Sequence, residues 1–302
     1  MKNLFQVVSI ACMALIAFGC DSNQKSADSK SPAAPASSGA NQPSPSGASI
    51  PAVEGKYATV NGLKMYYEIH GSPIAGKPPL VMIHGAFGWA TVFPALAKDR
   101  QVIAIELEGH GHTAALDRPL TFEQMADDTA ALLKELKIEQ ADIFGYSLGG
   151  TVALAVAIRH PNLVRKAATY GSHAGALDDA YDSTGAQQIR SLSSAFAPPM
   201  LKDRYDKVAP DSTKWPELVG KIRTLGTEFK GFAREEMQSI KAQVLIAFGD
   251  HDVVKPEHAV EMYRSIPGSQ LAVFPGADHF LPFQAPDKLL PTIVAFLDAS
   301  GP

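Results

Sequence analysis

The sequence predicts an α/β domain: a mostly parallel, twisted sheet with helices on both faces and a helical insertion after one strand. Two observations carry this. Short continuous apolar runs, Leu80–Ile83, Gln101–Ile105, Ala141–Phe144 and Gln243–Phe248, have the character of strands covered on both faces. Longer stretches with a helical apolar period separate them, and alternation of the two implies parallel strands with right-handed crossovers.

In chain order, Tyr57–Val60 and Leu63–Ile69 flank Asn61-Gly62, the strongest short signal for a hairpin. A short helix is expected over Thr91–Lys98. A clearer one runs from Thr121 to Lys137, with Thr121 and Gln124 spaced as a capping box. Its apolar stripe, Phe122, Met125, Ala126, Thr129, Leu132, Leu133 and Leu136, is core. Leu163–Tyr170 is the next strand, followed after a gap by Gln243–Phe248. A helix over Pro256–Ser265, a strand over Gln270–Phe274 and a last helix over Pro286–Asp298 complete the domain. The stretch from about 172 to 240 has no buried-strand run and several prolines, so it is the helical insertion. Such an excursion lies over the carboxyl edge of the sheet, where sites occur in this class.

The chemistry centres on Gly145-Tyr146-Ser147-Leu148-Gly149-Gly150. It joins the strand Ala141–Phe144 to an apolar helix over Thr151–Ile158. The turn is so sharp that a side chain two residues either side of Ser147 would strike backbone, which explains the glycines. A serine raised there is a weak nucleophile until a base takes its proton, and that base needs a third group to orient it. Both follow at strand ends: Gly249-Asp250-His251-Asp252, then Gly276-Ala277-Asp278-His279.

Together with His84-Gly85-Ala86 and Glu108-Gly109-His110-Gly111-His112, these motifs resemble the α/β-hydrolases that carry a cap and a His-Gly-x oxyanion loop. The resemblance spans about Tyr57 to Leu297. It implies Ser147 as nucleophile, His279 as general base and acid, and Asp252 as orienting carboxylate, with Asp250 the competitor. It places the oxyanion hole at the N–H groups of Ala86 and Leu148, and makes His84 a brace for that loop. No metal or organic cofactor is implied, and Glu106, Glu108, His110 and His112 are loop residues rather than metal ligands. Glu106 and Thr113 depart from the family's usual Asp and Ser. His173, His251 and His258 are expected on the surface or in the cap. Phe87, Trp89 and Phe280 are candidates for the pocket, and Phe196, Met200, Trp215 and Phe232 for the lid.

The expected reaction is hydrolysis of a small ester-type substrate through an acyl-enzyme. Cofactor-free perhydrolysis and carbon–carbon bond hydrolysis use the same three residues and stay open, as does a binding protein on the same scaffold. A serine at the turn argues against the dehalogenase and epoxide hydrolase relatives, which need a carboxylate there. The formal net charge of −4, with no basic block, gives nucleic acid little to bind.

The chain begins with Lys2 and an apolar stretch, Leu4–Phe18, short for a membrane span. It ends in Ala17-Phe18-Gly19-Cys20, which resembles a bacterial lipobox. The resemblance implies a signal peptide over residues 1–19, a lipidated Cys20, and a domain tethered to a membrane of the cell envelope. Residues 20–49 are rich in Ser, Pro and Ala and form the linker, about 30 Å as a coil. Both cysteines, Cys12 and Cys20, lie in this leader, so the domain from 50 to 302 has no disulfide.

Overall fold

In the computed structural model, residues 54–88, 95–195, 197 and 199–300 are described. The leader, the linker, Cys20, Trp89, Phe196 and the first half of the helix expected at 91–98 lie outside them; residues 95–97 form a turn. No helix among the described residues is long and apolar enough to cross a membrane.

Eight strands form one sheet: β1 (Lys56–Val60), β2 (Leu63–His70), β3 (Leu80–Ile83), β4 (Val102–Ile105), β5 (Ala141–Tyr146), β6 (Val164–Tyr170), β7 (Gln243–Gly249) and β8 (Gln270–Phe274). Their spatial order is β1-β2-β4-β3-β5-β6-β7-β8. Strands β1 and β2 pair antiparallel, as do β2 and β4; all other pairs are parallel. The hairpin turns at Asn61 and Gly62, with φ of 49° and 82°, the two left-handed residues that a tight two-residue turn requires.

Successive strand residues point to opposite faces, and each face has its own core. Val81, Ile83, Ile143, Ala167 and Ile246 meet α1 (Phe122–Glu135) and α2 (Leu148–Arg159) on one side. Met82, Phe144, Ala168 and Leu245 meet Leu289, Ile293 and Phe296 of the C-terminal helix Pro286–Asp298 on the other. Helix α1 starts at Thr121, whose hydroxyl accepts the Gln124 N–H at 3.1 Å. Only half of the expected capping box forms, because the Gln124 amide turns forward to Asp128, 3.0 Å away.

Between β6 and β7 the chain makes an excursion through α3 (Leu177–Ala180), α4 (Ser183–Arg190), α5 (Pro199–Val208), α6 (Trp215–Glu228) and α7 (Arg234–Gln238). After β7 come α8 (Pro256–Ser265), β8, α9 (Leu281–Gln284) and α10 (Pro286–Asp298).

The amino end of β5 is fixed by charge. Asp142 is fully buried and accepts from Arg165 Nε at 2.8 Å, with Arg100, itself 1% exposed, 3.5 Å away. Burial pushes the Asp142 carboxyl above its ordinary range while the arginines oppose that rise. Removing one member of such a set strands the others in low dielectric. Asp142→Ala should therefore lower stability by about 3–5 kcal/mol in urea titration, whereas an exposed pair such as Lys202–Asp206 should contribute about 0–1 kcal/mol.

Candidate active site

Strand β5 runs straight into α2, and Ser147 is the hinge residue, with φ 52° and ψ −123°. The two glycines flanking it are required by contact. A Cβ on Gly145 would strike the Gly149 carbonyl, and one on Gly149 would strike the carbonyls of Ile83 and His84. The Ser147 N–H is anchored on the Tyr170 carbonyl of β6 at 2.8 Å. Leu148 is the first residue of α2, so its N–H is one of those a helix cannot pair internally.

His279 and Asp252 arrive from the loops after β8 and β7. His279 Nε2 lies 3.0 Å from Ser147 Oγ, and Nδ1 lies 2.8 Å from Asp252 Oδ1. A carboxylate only accepts, so Nδ1 carries the proton and Nε2 offers its lone pair to the serine hydroxyl. The Asp252 side chain is fully buried and the His279 side chain 16% exposed. Asp252 Oδ1 also accepts the Val254 N–H at 3.1 Å, while Oδ2 is buried without a hydrogen-bond partner. Tyr146 and Phe280 pack on the imidazole, with ring centroids 5.2 and 5.8 Å away. Asp250 is turned elsewhere and accepts the Ala277 N–H at 3.2 Å. Asp278 accepts the Phe280 N–H at 2.8 Å, at the start of α9.

The loop after β3 lies against the hinge: a Cβ on Gly85 would sit 2.7 Å from Tyr146 and 3.2 Å from the Ser147 Cβ. Half-buried Ala86 follows it. His84 is fully buried, its Nδ1 2.7 Å from the Gly85 carbonyl and its Nε2 accepting the Leu107 N–H at 3.0 Å. Burial drives its pKa well below the ordinary histidine value. A neutral imidazole with both nitrogens committed to backbone is a brace, as the sequence predicts.

A model of the alpha/beta hydrolase family matches residues 80–292. The chain belongs to that family. It is similar to the mouse serine hydrolase BPHL, 26% identical over 260 residues, covering 82% of this chain and 87% of that one. Over 102 residues, 31% of this chain and 36% of the relative, it is 42% identical to a 2-hydroxymuconate semialdehyde hydrolase of a Pseudomonas strain. Among solved structures, the enol-lactonase of Burkholderia xenovorans LB400 superposes with a TM-score of 0.64 at 25% identity, over 81% of this chain and all of that one.

Several neighbours of the hydrolase site differ from expectation. His173, at the start of the excursion, and His258, on α8, are buried, 5% and 4% exposed, rather than on the surface; His251 is exposed. His173 packs edge-on against Phe122, Phe229 and Tyr181. Trp215 is 1% exposed and wedged between Phe87 and Tyr205, so it ties the excursion to the loop after β3. Phe232 packs on Phe229, and Met200 and Phe280 are exposed. Glu106 and His112 pair with each other, and His110 turns away from both. His112 binds the Glu106 carboxylate and stacks on Tyr66, whereas His110 turns inward to the Glu108 carbonyl at 2.9 Å. Among the described residues no group of three His, Cys, Asp or Glu is placed to hold a metal ion.

Gly171, unmarked in the sequence, is the close neighbour that decides the imidazole's position. Its φ is 61°, and a Cβ there would lie 2.8 Å from His279 Nδ1 and 3.0 Å from Asp252 Oδ2. Gly171→Ala should displace the ring and abolish or broaden the low-field proton NMR resonance of the Nδ1–H···Asp252 bond. Gly220→Ala, in open space on α6, should leave that resonance in place and raise stability by about 0.5–1 kcal/mol.

Proposed function

We propose that the protein is a serine hydrolase that cleaves a small carboxylic ester through a covalent acyl-enzyme. One observation carries the reading: a single imidazole reaches Ser147 Oγ with one nitrogen and the buried Asp252 carboxylate with the other. In this mechanism Ser147 attacks the carbonyl as His279 Nε2 takes its proton. Asp252 holds the Nδ1 proton and stabilises the imidazolium. The N–H groups of Leu148 and Ala86 receive the oxyanion, an arrangement that contributes several kcal/mol when fixed in place. His279 then protonates the leaving alcohol. Water attacks the acyl group with the same imidazole as base, releasing the acid and restoring the serine.

The ester class is supported by a nucleophile that leaves an acyl, not an alkyl, intermediate. It is supported also by the likeness to an enol-lactonase, which by its name acts on a cyclic ester. The 42% identical stretch of the semialdehyde hydrolase keeps carbon–carbon bond hydrolysis as a second reading. A panel of p-nitrophenyl esters and lactones against vinylogous diketone acids separates the two by kcat/KM. Ser147→Ala should lower kcat/KM on the preferred substrate by about 10³-fold or more with the fold intact. Asp252→Asn should cost about 10⁴-fold, as a wrong tautomer does. Asp250→Asn, which leaves the imidazole contact in place, should cost far less; the reverse order would reassign the carboxylate.

We also infer that the domain is held on an envelope membrane through a lipidated Cys20, with the excursion over 172–240 as the cap of the site. The support for the anchor is the lipobox-like Ala17-Phe18-Gly19-Cys20 and the Ser/Pro/Ala-rich tether after it. Metabolic labelling with palmitate should mark the wild-type chain and not Cys20→Ala.

A further inference from the structure

The chain leaves β6 through a short strap, Gly171-Ser172-His173-Ala174-Gly175, before α3 begins. The strap ties the His279–Asp252 pair to α2, to the excursion and to α8. Its first residue lies against the His279 ring and the Asp252 carboxylate. Thr151 Oγ1, on α2, donates to the His173 carbonyl at 2.7 Å. The Ala174 carbonyl accepts the Phe232 N–H at 2.8 Å, and Gly175 bridges to Gly231, so the returning end of the excursion rests on it too.

The fourth tie comes from α8, the helix that follows the Asp252 loop. His258 Nε2 lies 3.1 Å from the Ala174 nitrogen and 3.2 Å from the Gly175 nitrogen. Both are N–H donors converging on one ring nitrogen, so Nε2 must present a lone pair and the ring proton must sit on Nδ1, 3.3 Å from Glu261 Oε2. The contact is tight: a Cβ on Gly175 would lie 2.7 Å from the His258 Cε1. A proton on Nε2 would put three donors at one point and break both bonds.

We propose that His258 is a positioning residue of the hydrolytic site, its unprotonated Nε2 clamping the Ala174 and Gly175 amides so that the strap keeps Gly171 against the His279–Asp252 pair, and that acid opens this clamp. Burial, the largest influence, holds the His258 imidazole below its ordinary pKa. Glu261 on α8 and Asp179 on α3 pull the other way, while Lys255 at the head of α8 adds to the lowering and His173 on the strap couples to it as a like charge. Because the folded-state value lies below the free one, the clamp is at full strength above about pH 6.5 and is lost as pH falls through the lowered folded-state value.

The consequence for turnover rests on the serine-hydrolase reading; the clamp itself does not. The test is hydrogen exchange of the strap in the full-length protein, corrected for intrinsic rates, alongside kcat/KM on a p-nitrophenyl ester between about pH 4 and pH 8. Wild type should lose protection at Ala174 and Gly175 as pH falls, and the acid limb of kcat/KM should be steeper than one ionisation gives. His258→Gln sets a non-titrating oxygen near the Nε2 position. It should keep the strap protected throughout and reduce the acid limb to a single ionisation. His258→Leu should leave the strap unprotected at every pH and lower kcat about ten- to a hundredfold, with KM moving less.

A strap whose protection ignores pH in wild type would overturn the proposal, as would His258→Gln behaving like His258→Leu. If His258→Leu does not fold, wild type and His258→Gln still decide. Should no ester turn over while the strap responds to pH and to His258, the substrate reading fails and the clamp stands. Should esters turn over while the strap ignores His258, the clamp alone fails.

Discussion

The backbone at Ser147 is the constraint on which the rest of the site depends. A φ of 52° in a residue with a side chain costs about 1–3 kcal/mol and persists only where its surroundings over-determine it. Here they do so from three directions. Helix α2 is buried from Leu148 to Ala157 on nearly its whole circumference, so it cannot rotate or slide to relax the bend. Strand β5 is buried along its length between β3 and β6. Gly149 seats against the carbonyls of Ile83 and His84 at the end of β3. The core of the sheet supplies the stability that keeps one hydroxyl raised.

The same principle governs the turn after β4, where two substitutions depart from the family's habit. Glu106 stands where the resemblance implies the shorter aspartate, and its carboxylate reaches the His112 N–H and ring. Gly111, with φ 54°, leaves the space the longer side chain needs, since a Cβ there would collide with that carboxylate. Thr113 keeps the hydroxyl: it donates to the Glu106 carbonyl and accepts the Tyr66 N–H, both at 2.9 Å, so the turn stays sewn to β2.

The hinge was legible because its requirement is steric and local: two glycines at fixed spacing around a serine, between an apolar strand and an apolar helix. Asp252 and His279 are legible because each follows a strand-like run, and strand ends converge on one edge of a parallel sheet. The inversion of β3 and β4 in the sheet leaves no trace in either strand, since both are four apolar residues covered on both faces. The burial of His173 and His258 has a different origin. Their partners are the main-chain groups of Ala174 and Gly175, and a backbone amide is offered by any residue, so nothing in the side-chain pattern announces the contact. Trp215 was visible as an aromatic in the excursion, but its wedge between Phe87 and Tyr205 depends on tertiary packing that no periodicity encodes.

Among the histidines on the carboxyl side of this sheet, His279 is separated from His84, His110, His173 and His258 by what surrounds its ring. His84, His110, His173 and His258 are buried, each with its ring committed to main-chain groups, and burial lowers the pKa of all four, to about 4 for His110 and His173. A proton on His84 or His258 would turn an accepting nitrogen into a donor and break a bond that holds a loop, while in His110 and His173 burial alone opposes the charge. His279 differs on three counts: one nitrogen meets a carboxylate, the other a hydroxyl, and part of its ring reaches solvent. Asp252 spends one oxygen on that ring and on the Val254 N–H and leaves the other without a donor. A carboxylate so poorly solvated gains more from facing an imidazolium than a well-hydrated one would, because the interaction is not screened by water. Of these rings, His279 is the one set between a hydroxyl and a carboxylate, which is the arrangement a general base requires.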